Sequence, residues 1–400
     1  MQPRASIYIH VPFCKHRCAY CDFNTYAHQE ALLPDYVNAL TQEIRMVGAR
    51  AASREIVTVF FGGGTPSLLS PVQFEFILRA LRDSFHLLPD AEITIEANPG
   101  TVTLDGLKRL RELGINRISY GAQSANAEEL RMLERAHSFF EVIQAVSDSR
   151  KAGFDNLNLD LMYGLPEQTL DSWKTTLTRI ARLQPEHISA YALTLEHGTP
   201  FGRWSSKGLL PIPDPDLAAE MYEYAEAFLE AQGYAHYEIS NWAKENIKRG
   251  TQNSTLMCKH NLQYWRSLPY YGFGAGAHGY VDGTRYSNAL RIKTYIERVA
   301  GSELQVESYK FPLSPAAVNQ HKQSAQDDIS DYMINNLRLT EMGVSASDFQ
   351  SRFGRALLDV FGKEIEELLR VGLLEKKTPE IYRLTKRGRL LGNQAFVKFV

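Results

Sequence analysis

From Ser6 to Thr194 short β-rich runs alternate with amphipathic helical stretches, and that alternation leaves few architectures open. Strands are expected at Ser6 to Val11, Ile56 to Phe61, Glu92 to Ala97, Arg117 to Tyr120, Asn156 to Met162 and His187 to Thr194. Between them helical patterns run over Leu33 to Ala52, Pro71 to Ser84, Leu104 to Leu113, Phe139 to Ala152 and Leu170 to Leu183. Strands joined by crossover helices imply an α/β fold with a parallel sheet. Six such strands fall short of the eight of a closed barrel, so the pattern predicts an open, partial (β/α)6 barrel over residues 1–200. Its functional face is then the mouth at the C-terminal ends of the strands.

After Thr194 the pattern changes. A Pro-rich connector, LLPIPDPD, leads to a helix from Leu217 to Gln232 and to the Gly- and aromatic-rich stretch YYGFGAGAHGY, which predicts a second small α+β lobe over residues 201–326. Residues 327–400 show helices at Tyr332 to Leu339, Ser345 to Phe353 and Leu357 to Val371, then two short strands about a turn at Thr378 and Pro379. This order predicts a C-terminal winged-helix-like domain. Between Lys363 and Val400 nine Lys or Arg face five Glu, which raises nucleic-acid binding as a reading. The whole chain argues the other way: 44 basic and 46 acidic residues leave a formal charge of -2 and no general field toward nucleic acid or anionic membranes. No apolar run approaches a spanning helix and the first residues lack a signal-peptide pattern, so a cytoplasmic location is expected.

The sharpest motif is Cys14-Lys-His-Arg-Cys18-Ala-Tyr-Cys21, directly after the first strand. Three thiolates on one short loop can converge on a [4Fe-4S] cluster, and a three-thiolate set leaves one iron open to a ligand that is not protein. A zinc site is the competing reading; it needs a fourth ligand from His10, His16, Asp22 or Cys258. Next comes the turn Phe61-Gly62-Gly63-Gly64-Thr65-Pro66 after the second strand, where glycines let backbone approach a polar ligand. Polar residues then stand near each later strand end: Glu96 and Asn98, Gln123 and Ser124, Asp160, with Arg135 and His137 on a connection. A carboxylate, an amide and an arginine on the face that carries the Cys loop suit an amino-acid-bearing nucleotide.

Together Cys14 to Cys21, GGGTP, IEANP, GAQS and DLMYGLP resemble the radical S-adenosylmethionine (SAM) superfamily, in the branch that includes oxygen-independent coproporphyrinogen dehydrogenase. The resemblance is strong over residues 5 to 200. It implies a radical-SAM barrel whose cluster is held by Cys14, Cys18 and Cys21, with the open iron chelating S-adenosyl-L-methionine and one electron cleaving its S–C bond. It further implies that Tyr8 and Tyr20 flank the cofactor, that Gly63, Gly64 and Thr65 contact its amino-acid part, and that Glu96, Gln123, Arg135 and Asp160 complete the pocket.

Within that branch the dehydrogenases extend the run to C-x3-C-x2-C-x-C, whereas the fourth position here is Phe23. They also carry an N-terminal extension that helps bury the porphyrinogen, where this chain has 13 residues before Cys14. The sister group, the haem chaperones called HemW, has Phe at that position, and this sequence resembles it. Cys258-Lys-His260-Asn261-Leu-Gln-Tyr264-Trp265 matches that group's HNxxYW motif, and the GAGAHG loop matches its neighbour. The resemblance implies that haem is bound, with His260 as candidate iron ligand and His278 and Cys258 as competitors, and no catalytic residue is assigned. It also implies apo-haemoprotein acceptors, among them respiratory enzymes at the inner face of the membrane, and an electron donor such as a flavodoxin or ferredoxin, with no nucleic acid. Two other functions remain open from sequence: a true coproporphyrinogen III dehydrogenase, and a redox-sensing regulator that reads nucleic acid through its C-terminal domain.

Overall fold

The structure is a computed structural model that describes residues 4–51, 54–244, 256–301 and 309–400. Seven parallel strands form its centre. In chain order they are β1 (Ala5–Val11), β2 (Glu55–Gly63), β3 (His86–Ala97), β4 (Arg117–Gln123), β5 (Leu157–Tyr163) and β6 (His187–Ala192), with a seventh from much later in the chain. The crossover helices are α1 (Leu33–Gly48), α2 (Pro71–Ser84), α3 (Leu104–Glu112), α4 (Ala127–Met132), α5 (Phe139–Lys151) and α6 (Leu170–Arg182). A strand covered on both faces is buried along its length. β1, ASIYIHV, follows this, with six of its seven residues buried, its polar Ser6 and His10 hydrogen-bonded, and only Tyr8 partly open.

Local chemistry explains the boundaries. α2 starts at Pro71 because Ser70 and Gln73 cap each other: the Gln73 amide donates to Ser70 Oγ at 3.3 Å and the Ser70 amide to Gln73 Oε1 at 2.8 Å. β3 begins six residues before the expected Glu92. His86 and Leu87 pair with Glu55 and Ile56, then the register breaks and resumes at Glu92 opposite Thr58. Pro89 falls in that break, where its missing N–H costs the ladder nothing. α1 ends at Gly48; Ala52, the expected end, lies outside the described residues.

The segment expected as a second lobe is α+β in content, and it shares the barrel's sheet. After α7 (Pro200–Ser206) and α8 (Pro215–Ala231), strands β7 (Tyr234–Glu238) and β8 (Asn241–Lys244) add antiparallel beyond β6. After α9 (Lys259–Trp265), β9 (Tyr270–Phe273) pairs in parallel with β1 on the opposite edge. β10 (His278–Val281), β11 (Thr284–Asn288) and, after α10 (Ile292–Ala300), β12 (Ala317–Lys322) continue outward as an antiparallel meander. The twelve-stranded order is β12-β11-β10-β9-β1-β2-β3-β4-β5-β6-β8-β7. Tyr271, Phe273, Val281 and Tyr295 belong to the same apolar cluster as the barrel, so this part of the segment packs into the barrel's core. The cause is that β1 would otherwise be an unpaired edge.

Residues beyond Ser324 do form a separate core. Helices α11 (Ala325–Asn336), α12 (Ala346–Phe353) and α13 (Leu357–Arg370) pack with β14 (Leu374–Thr378) and β15 (Ile381–Leu384), joined by the two-residue β13 (Val344–Ser345). α11 starts seven residues before the expected Tyr332, capped by Ser324 and Asp327. Its polar first turn hides it from apolar periodicity.

Candidate functional site

Every parallel strand from β1 to β6 ends, or hands over to a loop, at one mouth. There a cavity of about 470 Å³ is lined by the Cys loop, the glycine turn and residues from the ends of β3 to β6. Cys14, Cys18, Cys21, Tyr20, Gly63, Gly64, Thr65, Glu96, Gln123, Arg135 and Asp160 all border it, so the structure brings together eleven of the thirteen site residues read from sequence. Tyr8 and His260 stand elsewhere.

The Cys loop is fixed at its base. Phe13 and Cys14 pair with Tyr26 and Ala27, and the Tyr26 amide donates to Pro12 O at 2.7 Å, so residues 15–25 leave and return at one point. The glycine turn lies against that base: the Gly64 amide donates to Val11 O at 2.9 Å and the Thr65 amide to Phe13 O at 2.8 Å. A Cβ on Gly64 would come within 2.6 Å of Phe13 O and 2.8 Å of Val11 O, which is why no side chain stands there. Gly63 holds φ at +107°, a region that side chains avoid. The Thr65 hydroxyl donates to Cys14 Sγ at 3.5 Å and accepts from Asn98 Nδ2 at 3.1 Å.

Arg135 reaches the second thiol. Its Nη1 donates to Cys18 Sγ at 3.6 Å and its Nη2 to Gly121 O at 2.8 Å and to Asn98 Oδ1. That places a cation directly against the second thiol of the loop. Opposite, Glu96 accepts from the Gly63 amide at 3.1 Å. Burial, then the neighbouring Asp160, push the Glu96 carboxyl up to about 8. Asp160 itself accepts from Ser119 Oγ at 2.7 Å and Asn158 Nδ2 at 2.8 Å. Gln123 ends β4 at φ +63°, in the left-handed region, and the pairing with β5 shifts register there. Strain of that kind clusters at ligand sites.

Sequence reasoning passed over Ser119 and Asn158, which orient Asp160. The signal was present: Asn158 precedes Asp160 by two on a strand, hence on the same face. Ser124, by contrast, is turned away, donating to Glu129 Oε2 at 2.5 Å as part of the α4 cap region. Tyr8 lies beside the glycine turn and Glu96, where a Cβ on Gly62 would come within 3.1 Å of both. Its ring stacks on Phe60 with centroids 6.3 Å apart, its hydroxyl bonds His10 Nδ1 at 2.9 Å, and it borders a neighbouring cleft.

His260 is a correction to the expected haem ligand. It is 1% exposed and stacks on Phe60 at 5.0 Å. Its Nδ1 lies 2.7 Å from Thr58 Oγ1, whose own proton goes to Ser6 Oγ at 2.7 Å. Nδ1 is therefore the donor, and Nε2 accepts from the Tyr264 hydroxyl at 2.9 Å. Burial and then Arg117 hold its pKa down to about 3, so the ring is neutral. Neither nitrogen is available to an iron. Cys258 is also buried, with its thiol pushed up to about 12 by burial, and it contacts Glu92 at 3.6 Å. Glu92 stands four residues before Glu96 on β3, about 13 Å along the strand. Cys258 thus sits at the other end of the barrel from Cys14 and is no fourth ligand for it. Among the described residues no group of three or more His, Cys, Asp or Glu is arranged to hold a single metal ion.

The residues present fit a larger, electron-rich group: three thiols on one loop, a guanidinium against one of them, and a buried polar atom without a hydrogen-bond partner, Arg135 Nε, at the cavity wall. The Radical SAM superfamily profile matches residues 8–180, and the HemN C-terminal domain profile matches residues 323–391. A Bacillus subtilis protein named heme chaperone HemW is 38% identical, with 99% of each chain covered. The chain belongs to the HemW family. The Escherichia coli protein named heme chaperone HemW is 35% identical, covering 100% of this chain and 98% of its own. A mouse protein, radical S-adenosyl methionine domain-containing protein 1, mitochondrial, is 35% identical, with 93% and 82% covered. Among solved structures, the E. coli coproporphyrinogen III oxidase HemN, described as a radical SAM enzyme, matches with a TM-score of 0.82 at 25% identity, covering 100% of this chain and 90% of its own. Membership of the radical SAM superfamily implies a [4Fe-4S] cluster and S-adenosylmethionine. No helix among the described residues is long and apolar enough to cross a membrane.

Proposed function

We propose that this chain is a haem chaperone: it binds haem and passes it to apo-haemoproteins, with a [4Fe-4S] cluster held by Cys14, Cys18 and Cys21 and S-adenosylmethionine in the adjoining cavity. The cluster, when bound, supplies a one-electron reductant to the cofactor beside it. The chain's own residues do the rest. Arg135 and the Thr65 hydroxyl balance the charge of the thiolates. Glu96 and Asp160 face the cavity as acceptors for the ammonium and ribose hydroxyls of the cofactor, while the bare backbone of Gly63 and Gly64 admits its amino-acid part. Tyr20 and Gln123 complete the walls.

The observation that carries the chaperone reading over the dehydrogenase is Phe23. At the position where a fourth cysteine marks the dehydrogenases, the chain places a phenylalanine that is 63% exposed and borders both the cofactor cavity and the cleft beside it. Full-length relatives named heme chaperone support the same reading. Recipients are proposed to include respiratory enzymes at the membrane, and a flavodoxin or ferredoxin is proposed to reduce the cluster. The test is anaerobic incubation of the reconstituted protein with haem, and separately with coproporphyrinogen III, S-adenosylmethionine and reductant. Retained haem without porphyrin product is expected; multiple-turnover protoporphyrinogen formation would establish the dehydrogenase instead.

A further inference from the structure

The cleft next to the cofactor cavity has a volume of about 440 Å³. Its walls include Tyr8, Phe23, Tyr264, Tyr270 and Leu290, and His278 stands among them. Phe23 and Leu290 are 63% and 58% exposed, an apolar pair turned to solvent at its rim. Large aromatic and aliphatic faces around a cleft are the complement of a flat macrocycle. Resting on the haem-binding reading above, we propose that haem docks in this cleft and that His278 supplies the axial ligand to its iron.

Three observations converge on His278. First, a ligand needs a free ring nitrogen. The buried His10 has none: Nδ1 meets the Tyr8 hydroxyl and Nε2 meets Asn24 O, each at 2.9 Å. His260 has none either, as its bonds to Thr58 and Tyr264 show. His278 is exposed, and its ring makes no hydrogen bond to the described residues. Second, it is held in place by its backbone. It opens β10, pairs with Ser287 of β11, and its carbonyl packs so tightly on Gly272 that a Cβ there would lie 1.9 Å away. Third, cations stand at the Leu290 side for the two propionates. Arg17 donates to Phe23 O at 3.4 Å, and the charges of Arg17 and Arg291 both act on the Tyr26 hydroxyl, which donates to Leu290 O at 3.2 Å. Guanidinium and carboxylate pair well in such positions.

The same geometry gives His260 a positioning role. By accepting the Tyr264 hydroxyl, it holds one of the rings that wall the cleft. The motif around His260 then shapes the haem site from behind, and iron ligation falls to the neighbouring loop.

The experiment is a ferric haem titration of the cluster-loaded protein, read as difference spectra in the Soret region, with the wild type, His278→Ala, His260→Ala and Phe23→Asp compared. His278→Ala is expected to bind haem at least tenfold more weakly, with its Soret maximum displaced from the wild-type position, and to move back toward that maximum with added imidazole, while its iron-sulfur content stays at the wild-type level. Phe23→Asp is expected to weaken binding without moving the Soret maximum, and it tests the cleft should His278→Ala fold poorly. Wild-type affinity and an unchanged Soret band in His278→Ala, or wild-type affinity in Phe23→Asp, would overturn the site while leaving the chaperone reading intact. Absence of haem binding by the wild type would overturn both.

Discussion

Glu96→Gln is the substitution whose effect can be worked furthest. The carboxyl is pushed from an ordinary 4.5 up to about 8, first by burial and then by Asp160. A group whose folded pKa is raised leaves stability intact below the unfolded value and removes it as pH climbs toward the folded value. Between pH 4.5 and 8 the unfolded chain gives up the Glu96 proton while the folded chain keeps it, and each pH unit then costs about 1.4 kcal/mol. Glutamine has the same shape and no proton to hold. Cluster-free Glu96→Gln protein should therefore gain on the wild type by a ceiling of about 3 kcal/mol at pH 7, shrinking to about 1 kcal/mol at pH 5.5. Urea denaturation followed by tryptophan fluorescence at both pH values reads the gap directly. The same carboxyl gives a signature in binding. Wild-type affinity for the cationic cofactor should rise with pH up to about 8, because binding favours the ionised form and releases a proton, whereas the Gln variant binds more weakly with a flat profile. Denaturation midpoints whose difference does not change with pH, together with a flat wild-type binding profile, would refute the reasoning.

Changing Cys14, Cys18 or Cys21 to Ala should abolish the iron-sulfur absorbance after anaerobic reconstitution, and Cys258→Ala, at the far end of the barrel, should leave it; full cluster in Cys18→Ala would contradict the assignment. Gly64→Ala removes no ligand yet should also lower cluster content, because its Cβ would press on Val11 O and Phe13 O at the base of the Cys loop, at a cost of about 1–3 kcal/mol; the iron assay on that variant checks it. Asp160→Asn should weaken S-adenosylmethionine binding in calorimetry with iron content unchanged. His260→Ala leaves Thr58 and Tyr264 unpaired in the interior and should lower stability by about 1–3 kcal/mol, while any haem it still binds keeps the wild-type Soret maximum. A shifted maximum in that variant would return the ligand to His260.

The cofactor cavity was legible in the sequence because parallel strands have one mouth. Glu96, Gln123 and Asp160 could be assigned to a common face without knowing any contact, since each lies at or near the C-terminal end of its strand. The edges of the sheet were not legible in the same way. β9 pairs with β1 across some 260 residues of chain, a non-local choice that periodicity does not carry. Glycines also disguised β9 and β10 as loop: Gly272 and Gly279 are bare because the His278 carbonyl and the Tyr286 ring occupy the space a Cβ would need. On paper His260 was the candidate ligand and His278 a competitor. What separates them is a hydrogen-bond chain from Ser6 through Thr58 and His260 to Tyr264, drawn from three distant stretches of sequence, which uses both nitrogens of one histidine and neither of the other. Tyr8 faces the barrel interior beside Glu96, and its hydroxyl is turned toward His10 and the second cleft, a direction the sequence does not carry.

The central claim, that this chain carries haem to other proteins, is tested most directly by a transfer measurement. Cluster-loaded protein is given one equivalent of haem, freed of excess, and mixed with a purified apo-haemoprotein while both Soret bands are followed. The account predicts that the recipient fills as the donor empties, at a rate that rises with recipient concentration. If the recipient fills only at the rate at which haem dissociates into an excess of a passive haem scavenger, independent of recipient concentration, the chain is not a chaperone and the account fails.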